Sequence, residues 1–232
     1  MSQDAMRERV NAVRDRIAAA CARAGRDPSE VSLLPVSKTF PVDAIREAMA
    51  LGFDAFGENR PQELASKAQA LEASYLRWVA IGQVQTNKAK DIAQWASELQ
   101  SLDRLSLAQA LQRRLEPLER TLDVLVQVKT SPEDTKSGVE PEELVPFLKS
   151  LESYPNLRLK GLMTMAVLSE DEQAVRACFR QLRQCRDDAV AQGIDANRLK
   201  TLSMGMSGDM ELAIEEGSTQ IRVGSAIFGG RS

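Results

Sequence analysis

Near the start of the chain, Val10, Val13, Ile17 and Cys21 recur at helical spacing and mark one apolar face of a segment spanning 3–24. The turn-forming stretch AGRDPSE then breaks that period. Beyond it, short apolar runs alternate with amphipathic stretches. The runs are VSLLPVS (31–37), FDAFG (53–57), RWVAIG (77–82), ELQSLD (98–103), LDVLVQV (122–128), LRLKGLMTM (157–165), LKTLSMG (199–205) and TQIRVG (219–224). Helical periodicity covers roughly 41–51, 59–73, 86–96, 104–116, 141–153, 170–192 and 208–216. Asp43, Asp103 and Glu142 suit helix N-termini, where acidic groups are favoured.

Strands that alternate with helices predict an α/β chain with a parallel sheet. Eight strands are the number that closes such a sheet into a TIM (β/α)8 barrel, so one barrel domain over 1–232 is expected. The segment 3–24 is then an extra N-terminal helix, covering the position that a final barrel helix would fill. An open doubly wound sheet is the competing topology. There is no Pro/Gly-rich linker, low-complexity tract or short repeat to divide the chain.

Composition narrows the chemistry. Histidine is absent, which removes Ser-His-Asp and Cys-His catalysis along with the commonest metal ligand. Acid–base work must rest on Lys, Tyr, Asp, Glu, Cys or a cofactor, and no metal site is expected. A net charge of −3 without a basic stripe disfavours nucleic acid. No apolar run is long enough to span a bilayer, and the charged start MSQDAMRERVNAVRDR is unlike a secretory signal. The odd set Cys21, Cys178 and Cys185 lacks CxxC spacing and fits reduced thiols of a cytoplasmic protein.

The unusual residues fall at strand ends. Lys38 closes the first run, Gly57-Glu58-Asn59 the second, GQVQTNK the third, Asp103 the fourth and TSPEDTKSG the fifth. Met163 and Thr164 lie late in the sixth, SMGMSGD follows the seventh and RVGS ends the eighth. In a barrel these points meet on the C-terminal rim, where such folds build their sites. Each also has a plainer meaning. Lys38 alone is a strand-end lysine reaching for water. Asn59, just before Pro61, is a helix N-cap, and Met204 and Met206 are core fillers. Arg222 inside an apolar strand is harder to dismiss, because a buried guanidinium needs partners.

The last two strand ends favour an anion. Ser203, Gly205, Ser207 and Gly208 lead into a helix near Asp209, and Gly224 and Ser225 again join backbone N–H groups to a hydroxyl. Neither stretch is a nucleotide fingerprint. A phosphate cradle and a lysine on one rim suggest a phosphorylated carbonyl compound held as a Schiff base. A free lysine, with a pKa of about 10.4, needs desolvation or a neighbouring cation such as Arg222 to become nucleophilic.

The segments LLPVSKTFP, FGENRPQE, IGQVQTNK, DTKSGV, LKGLMTM, LSMGMSGDMELAIEEGST and IRVGSAIFG resemble, in order, the YggS/PROSC family of pyridoxal phosphate homeostasis proteins. The resemblance runs from about residue 7 to 230. It implies a barrel similar to the alanine racemase N-terminal domain, with pyridoxal 5′-phosphate (PLP) at its mouth. Lys38 matches the family's Schiff-base lysine and Asn59 its GEN asparagine. Ser203, Gly205 and Ser207 match the seventh-strand loop, and Gly224 with Ser225 the last phosphate-binding turn. Arg222 matches the arginine that racemase-type folds set against the pyridine nitrogen, and Met163 joins the expected cofactor set by its place at the rim. Lys136 matches a lysine of the SKSG loop that takes PLP secondarily. The chain departs from the family at Arg60, where GENY is common, and at Trp78, Val79 and Ala80, where WHF is common.

The resemblance points to a carrier of PLP, held as an aldimine on Lys38, in vitamin B6 homeostasis without catalytic turnover. An arginine about 4 Å from the ring nitrogen opposes its protonation by about 4 kcal/mol at an effective dielectric near 20. That weakens the electron sink on which PLP enzymes depend. Racemisation also needs a second base, which alanine racemase takes from a further domain and a partner subunit. Here the eighth strand is close to the end of the chain, and Tyr75 and Tyr154, the only tyrosines, fall at no strand end facing the mouth. A monomer is expected, with PLP-dependent apoenzymes as recipients. The alternatives are a PLP-dependent racemase or related enzyme, and a PLP-responsive interaction protein.

Overall fold

The computed structural model describes residues 3–72, 75–133 and 137–230. The apolar runs form eight strands: β1 (Ser32–Pro35), β2 (Ala55–Glu58), β3 (Arg77–Ala80), β4 (Glu98–Leu102), β5 (Leu122–Gln127), β6 (Leu157–Met163), β7 (Thr201–Ser203) and β8 (Gln220–Val223). Helix α1 (Gln3–Arg23) precedes them. The helices α2 (Val42–Met49), α3 (Pro61–Leu71), α4 (Ala89–Trp95), α5 (Leu105–Leu115), α6 (Leu144–Ser150), α7 (Glu172–Ala191), α8 (Met210–Glu215) and α9 (Ser225–Phe228) follow the strands in turn. Two expected helices are divided. Residues 86–96 open with a 3-10 turn at Thr86–Lys88, and 141–153 has 3-10 turns on both sides of α6. The short α9 has no apolar period long enough to announce it.

All strand pairs are parallel, in the order β1-β8-β7-β6-β5-β4-β3-β2. The two ends of that order meet. Val36 bridges Gly57, and the Ser37 N–H donates to the Gly57 carbonyl at 3.0 Å. This seam makes the sheet a barrel and overturns the open alternative. Parallel strands joined by right-handed crossovers bring every strand C-terminus to one rim.

The wall is apolar toward the helices. Phe56 and Trp78 pack with ring centroids 6.1 Å apart, and Leu99, Val124, Leu162 and Phe179 are fully buried. Helix α1 buries Met6, Val10, Val13, Ile17, Ala20 and Cys21. It packs against α8, α9 and α2, over the place left by the four-residue α9. None of the described helices is long and apolar enough to cross a membrane.

Phe179 tests this packing. Replacing it with alanine should cost about 3–5 kcal/mol of stability, read as a lower urea midpoint with an unchanged denaturant slope.

Candidate functional site

At the C-terminal rim a cavity of about 500 Å³ opens, within the roughly 300–1,000 Å³ typical of small-molecule sites. Lys38, Asn59, Met163, Ser207, Arg222, Gly224 and Ser225 all line it, joined by Gly208. Ser203 is fully buried and Gly205 is buried, one layer behind the lining. Lys136 lies outside the described residues.

Each strand end delivers its residue for a local reason. Just past the end of β1, Val36 and Lys38 line the cavity while Ser37 between them is buried in the wall. No hydrogen bond or ion pair engages Lys38 among the described residues. Asn59 is not a helix cap: Arg60 holds the N-cap position of α3, without a side-chain cap, and Pro61 begins the helix. Asn59 faces the cavity instead, with its backbone pressed against β3. A Cβ on Gly82 would lie 2.2 Å from the Asn59 carbonyl oxygen, so that approach requires glycine.

Arg222, 5% exposed, is held entirely by neutral acceptors among the described residues. One terminal nitrogen donates to the Ser203 carbonyl and hydroxyl, both at 2.7 Å, and the other to the Thr164 carbonyl at 2.9 Å. Burial pulls its pKa down to about 10, against the attraction of Asp209, so it is a cation near neutral pH. The Ser203 hydroxyl donates onward to Gln100 Oε1 at 2.7 Å, and Gln100 donates to Glu98 and Gln220 deeper in the barrel. Ser203 therefore acts on the cavity through Arg222 rather than by contact. Gly205, at φ +96°, turns the seventh loop where a Cβ would meet the Ala213 Cβ at 2.6 Å, and its carbonyl accepts from the Arg222 N–H.

The N–H groups of Ser207, Gly208, Gly224 and Ser225 have no backbone acceptor among the described residues. Together with the two serine hydroxyls they form a concave donor surface for an anion. Helix α1 braces both halves of it from outside. Arg16 pairs with Glu211 at 2.6 Å and donates to the Ser207 carbonyl at 3.0 Å, while Arg9 donates to the Ile227 carbonyl at 2.7 Å. Inside the loop, Asp209 accepts from the Met206 N–H at 2.6 Å, and burial raises the Asp209 pKa.

Several lining residues were not among the expected binding residues, although GQVQTNK, which holds Gln83, was expected at the rim. Gln83 donates to Gln127 at 2.9 Å, and Gln127 donates to the Ser137 carbonyl at 2.8 Å. A glutamine next to the end of the apolar run LDVLVQV was a usable signal. Phe40 stacks on Phe228 with centroids 5.0 Å apart beside the mouth. Asp103 is drawn away to Arg104 at 2.6 Å in a separate cleft. Tyr75, Tyr154, Arg60, Trp78, Val79 and Ala80 do not line the cavity.

Residues 4–232 match the alanine racemase N-terminal domain model. A pyridoxal phosphate homeostasis protein of Aquifex aeolicus is 43% identical over 97% of both chains. The chain belongs to the pyridoxal phosphate homeostasis protein family. PipY of Synechococcus elongatus, solved with PLP bound, is 37% identical with a TM-score of 0.80, covering 94% of this chain and 100% of its own. An alanine racemase of Clostridium difficile shares the fold, with a TM-score of 0.79 at 15% identity, over 98% of this chain and 57% of that one.

The interior polar chain gives a pH test. Burial raises the Glu98 pKa, opposed by its hydrogen bond from Gln100 and by Arg77. A carboxyl with a raised folded pKa contributes stability that is full below its ordinary value of 4.5 and lost as pH rises through the folded value. Glu98→Gln should therefore be more stable than the parent at neutral pH, with the gain shrinking toward zero below pH 4.5. Urea unfolding across pH measures it.

Proposed function

We propose that the chain binds PLP in the rim cavity, joined covalently through Lys38, and serves as a carrier in vitamin B6 homeostasis rather than as an enzyme. One observation carries this reading: an unengaged amine, a concave set of anion donors and a buried guanidinium share a single cavity. Its volume and donor types fit the cofactor. Lys38 would hold the aldehyde carbon. Ser207, Gly208, Gly224 and Ser225 would grip the phosphate, Arg222 would face the ring nitrogen, and Asn59 and Met163 would flank the ring. Ser203 and Gly205 would act by holding Arg222 and the seventh loop.

Bound PLP supplies an electron sink, strongest when its ring nitrogen is protonated. The Arg222 guanidinium donates but cannot accept, so it disfavours that proton. Racemase-type folds set an arginine at the same place, so the weak sink separates this site from PLP enzymes with an acidic ring partner, and the exchange test below separates carrier from racemase. The lysine, the donors and the arginine come from one chain, so the proposed site needs no second copy. Exposed Met165 and Met206 at the mouth suit transient contact with apoenzymes that receive the cofactor. The three cysteines are free and buried, in keeping with a cytoplasmic setting.

The purified protein should show a near-visible absorption band that Lys38→Ala abolishes. After borohydride reduction, mass spectrometry should locate the cofactor on Lys38. An unchanged band in Lys38→Ala contradicts the assignment. The α-protons of common amino acids should exchange into deuterium oxide no faster with the protein than with free PLP, and fast exchange would favour the racemase.

A further inference from the structure

The loop that carries Lys38 is fastened from behind the barrel wall. Ser37, fully buried, donates its hydroxyl to Glu58 Oε1 at 2.6 Å. Lys67 of α3, 7% exposed, donates to the Ser37 carbonyl at 2.8 Å and to Glu58 Oε1 and Glu63 Oε1, each at 2.7 Å. An ammonium has three N–H donors, and all three are engaged. Glu63 Oε1 also accepts from the Thr39 N–H at 2.6 Å. The residues on both sides of Lys38 are thus tied to one cluster of three charges.

Thr39 shows why such a tie is needed. Its φ of +67° lies in the left-handed region, which a β-branched side chain enters only under constraint. That turn comes directly after the residue whose amine must reach the cavity. The cluster is also an inefficient way to stabilise a fold. Desolvation of buried ions offsets much of their attraction, and well-packed apolar side chains can do as well. Burial raises the Glu58 pKa, and Glu58 Oε2 is buried with no hydrogen-bond partner among the described residues. What the cluster adds is direction.

We propose that Lys67 and Glu63 are positioning residues for Lys38: they hold the Thr39 turn so that the Lys38 amine is presented to the aldehyde carbon of the cofactor. This rests on the carrier reading above. It deepens that reading by assigning the covalent half of binding to a device separate from the phosphate donors. Damage to the device should weaken a ligand that bonds to Lys38 and spare a ligand that only docks.

Pyridoxine 5′-phosphate makes the distinction, since it keeps the ring and phosphate but carries an alcohol in place of the aldehyde. Dissociation constants of both ligands are measured for the full chain as wild type, Glu63→Ala and Glu63→Gln. Glu63 is partly exposed, and thermal melting checks that each variant is folded. Glu63→Ala should weaken PLP by about fivefold or more, the scale of coupled contacts, and leave pyridoxine 5′-phosphate within about twofold. Glu63→Gln keeps an acceptor for the Thr39 N–H and should recover most of the loss. If the alanine variant does not fold, Glu63→Asp retains the charge, shortens the reach and should give the same selective loss. An equal loss for both ligands, or no loss for PLP, overturns the positioning role. A wild-type protein that does not favour the aldehyde over the alcohol sinks the carrier reading itself.

Discussion

The Ser37 N–H bond to the Gly57 carbonyl, 3.0 Å long, joins the two strands at the ends of the sheet order. Everything at the mouth depends on that seam. Without it, Lys38 and Asn59 would stand on opposite edges of an open sheet. With it, both face Arg222 and the donors after β7 and β8 across one opening. Parallel strands contribute by ending at the same rim, so residues far apart in the chain need no loop of their own to meet.

The second constraint is the cost of a guanidinium inside the barrel. Among the described residues its partners are the Ser203 carbonyl and hydroxyl and the Thr164 carbonyl, with no carboxylate in hydrogen-bond contact. The positive charge therefore stays available to the cavity instead of being cancelled within the wall. Gln100 makes this arrangement rigid, because the Ser203 hydroxyl donates to it while accepting from Arg222. The acidic group of the chain, Glu98, is kept farther down, next to Arg77.

Much of the fold was legible because its signals are local. Seven of the eight strands lie within the apolar runs and β2 passes the end of its run by one residue, Glu58, while the α1 stripe of Val10, Val13, Ile17 and Cys21 is buried as its spacing implies. The rim residues were legible by position, since strand ends converge once the topology is known. What escaped depends on contacts between elements. Nothing in a linear string distinguishes Asn59 as a helix cap from Asn59 as a cavity residue until the N-cap falls on Arg60. Ser203 ends β7 and Gly205 follows it just ahead of Ser207, yet burial assigns both to the layer behind. Gln83 resembles any surface glutamine until Gln127 arrives beside it.

Helix α1 precedes the first strand, yet its partners follow the last two. The contact from Arg16 to the Ser207 carbonyl joins residues 191 apart, and that from Arg9 to the Ile227 carbonyl spans 218. During translation α1 has to wait for nearly the whole chain before its apolar stripe finds a home. The anion loops acquire their outer brace only then, at a cost in loop closure that slows such long-range steps. The donors after β7 and β8 are thus braced only when the segment before the first strand meets the segments after the last two, which makes the mouth a late product of folding.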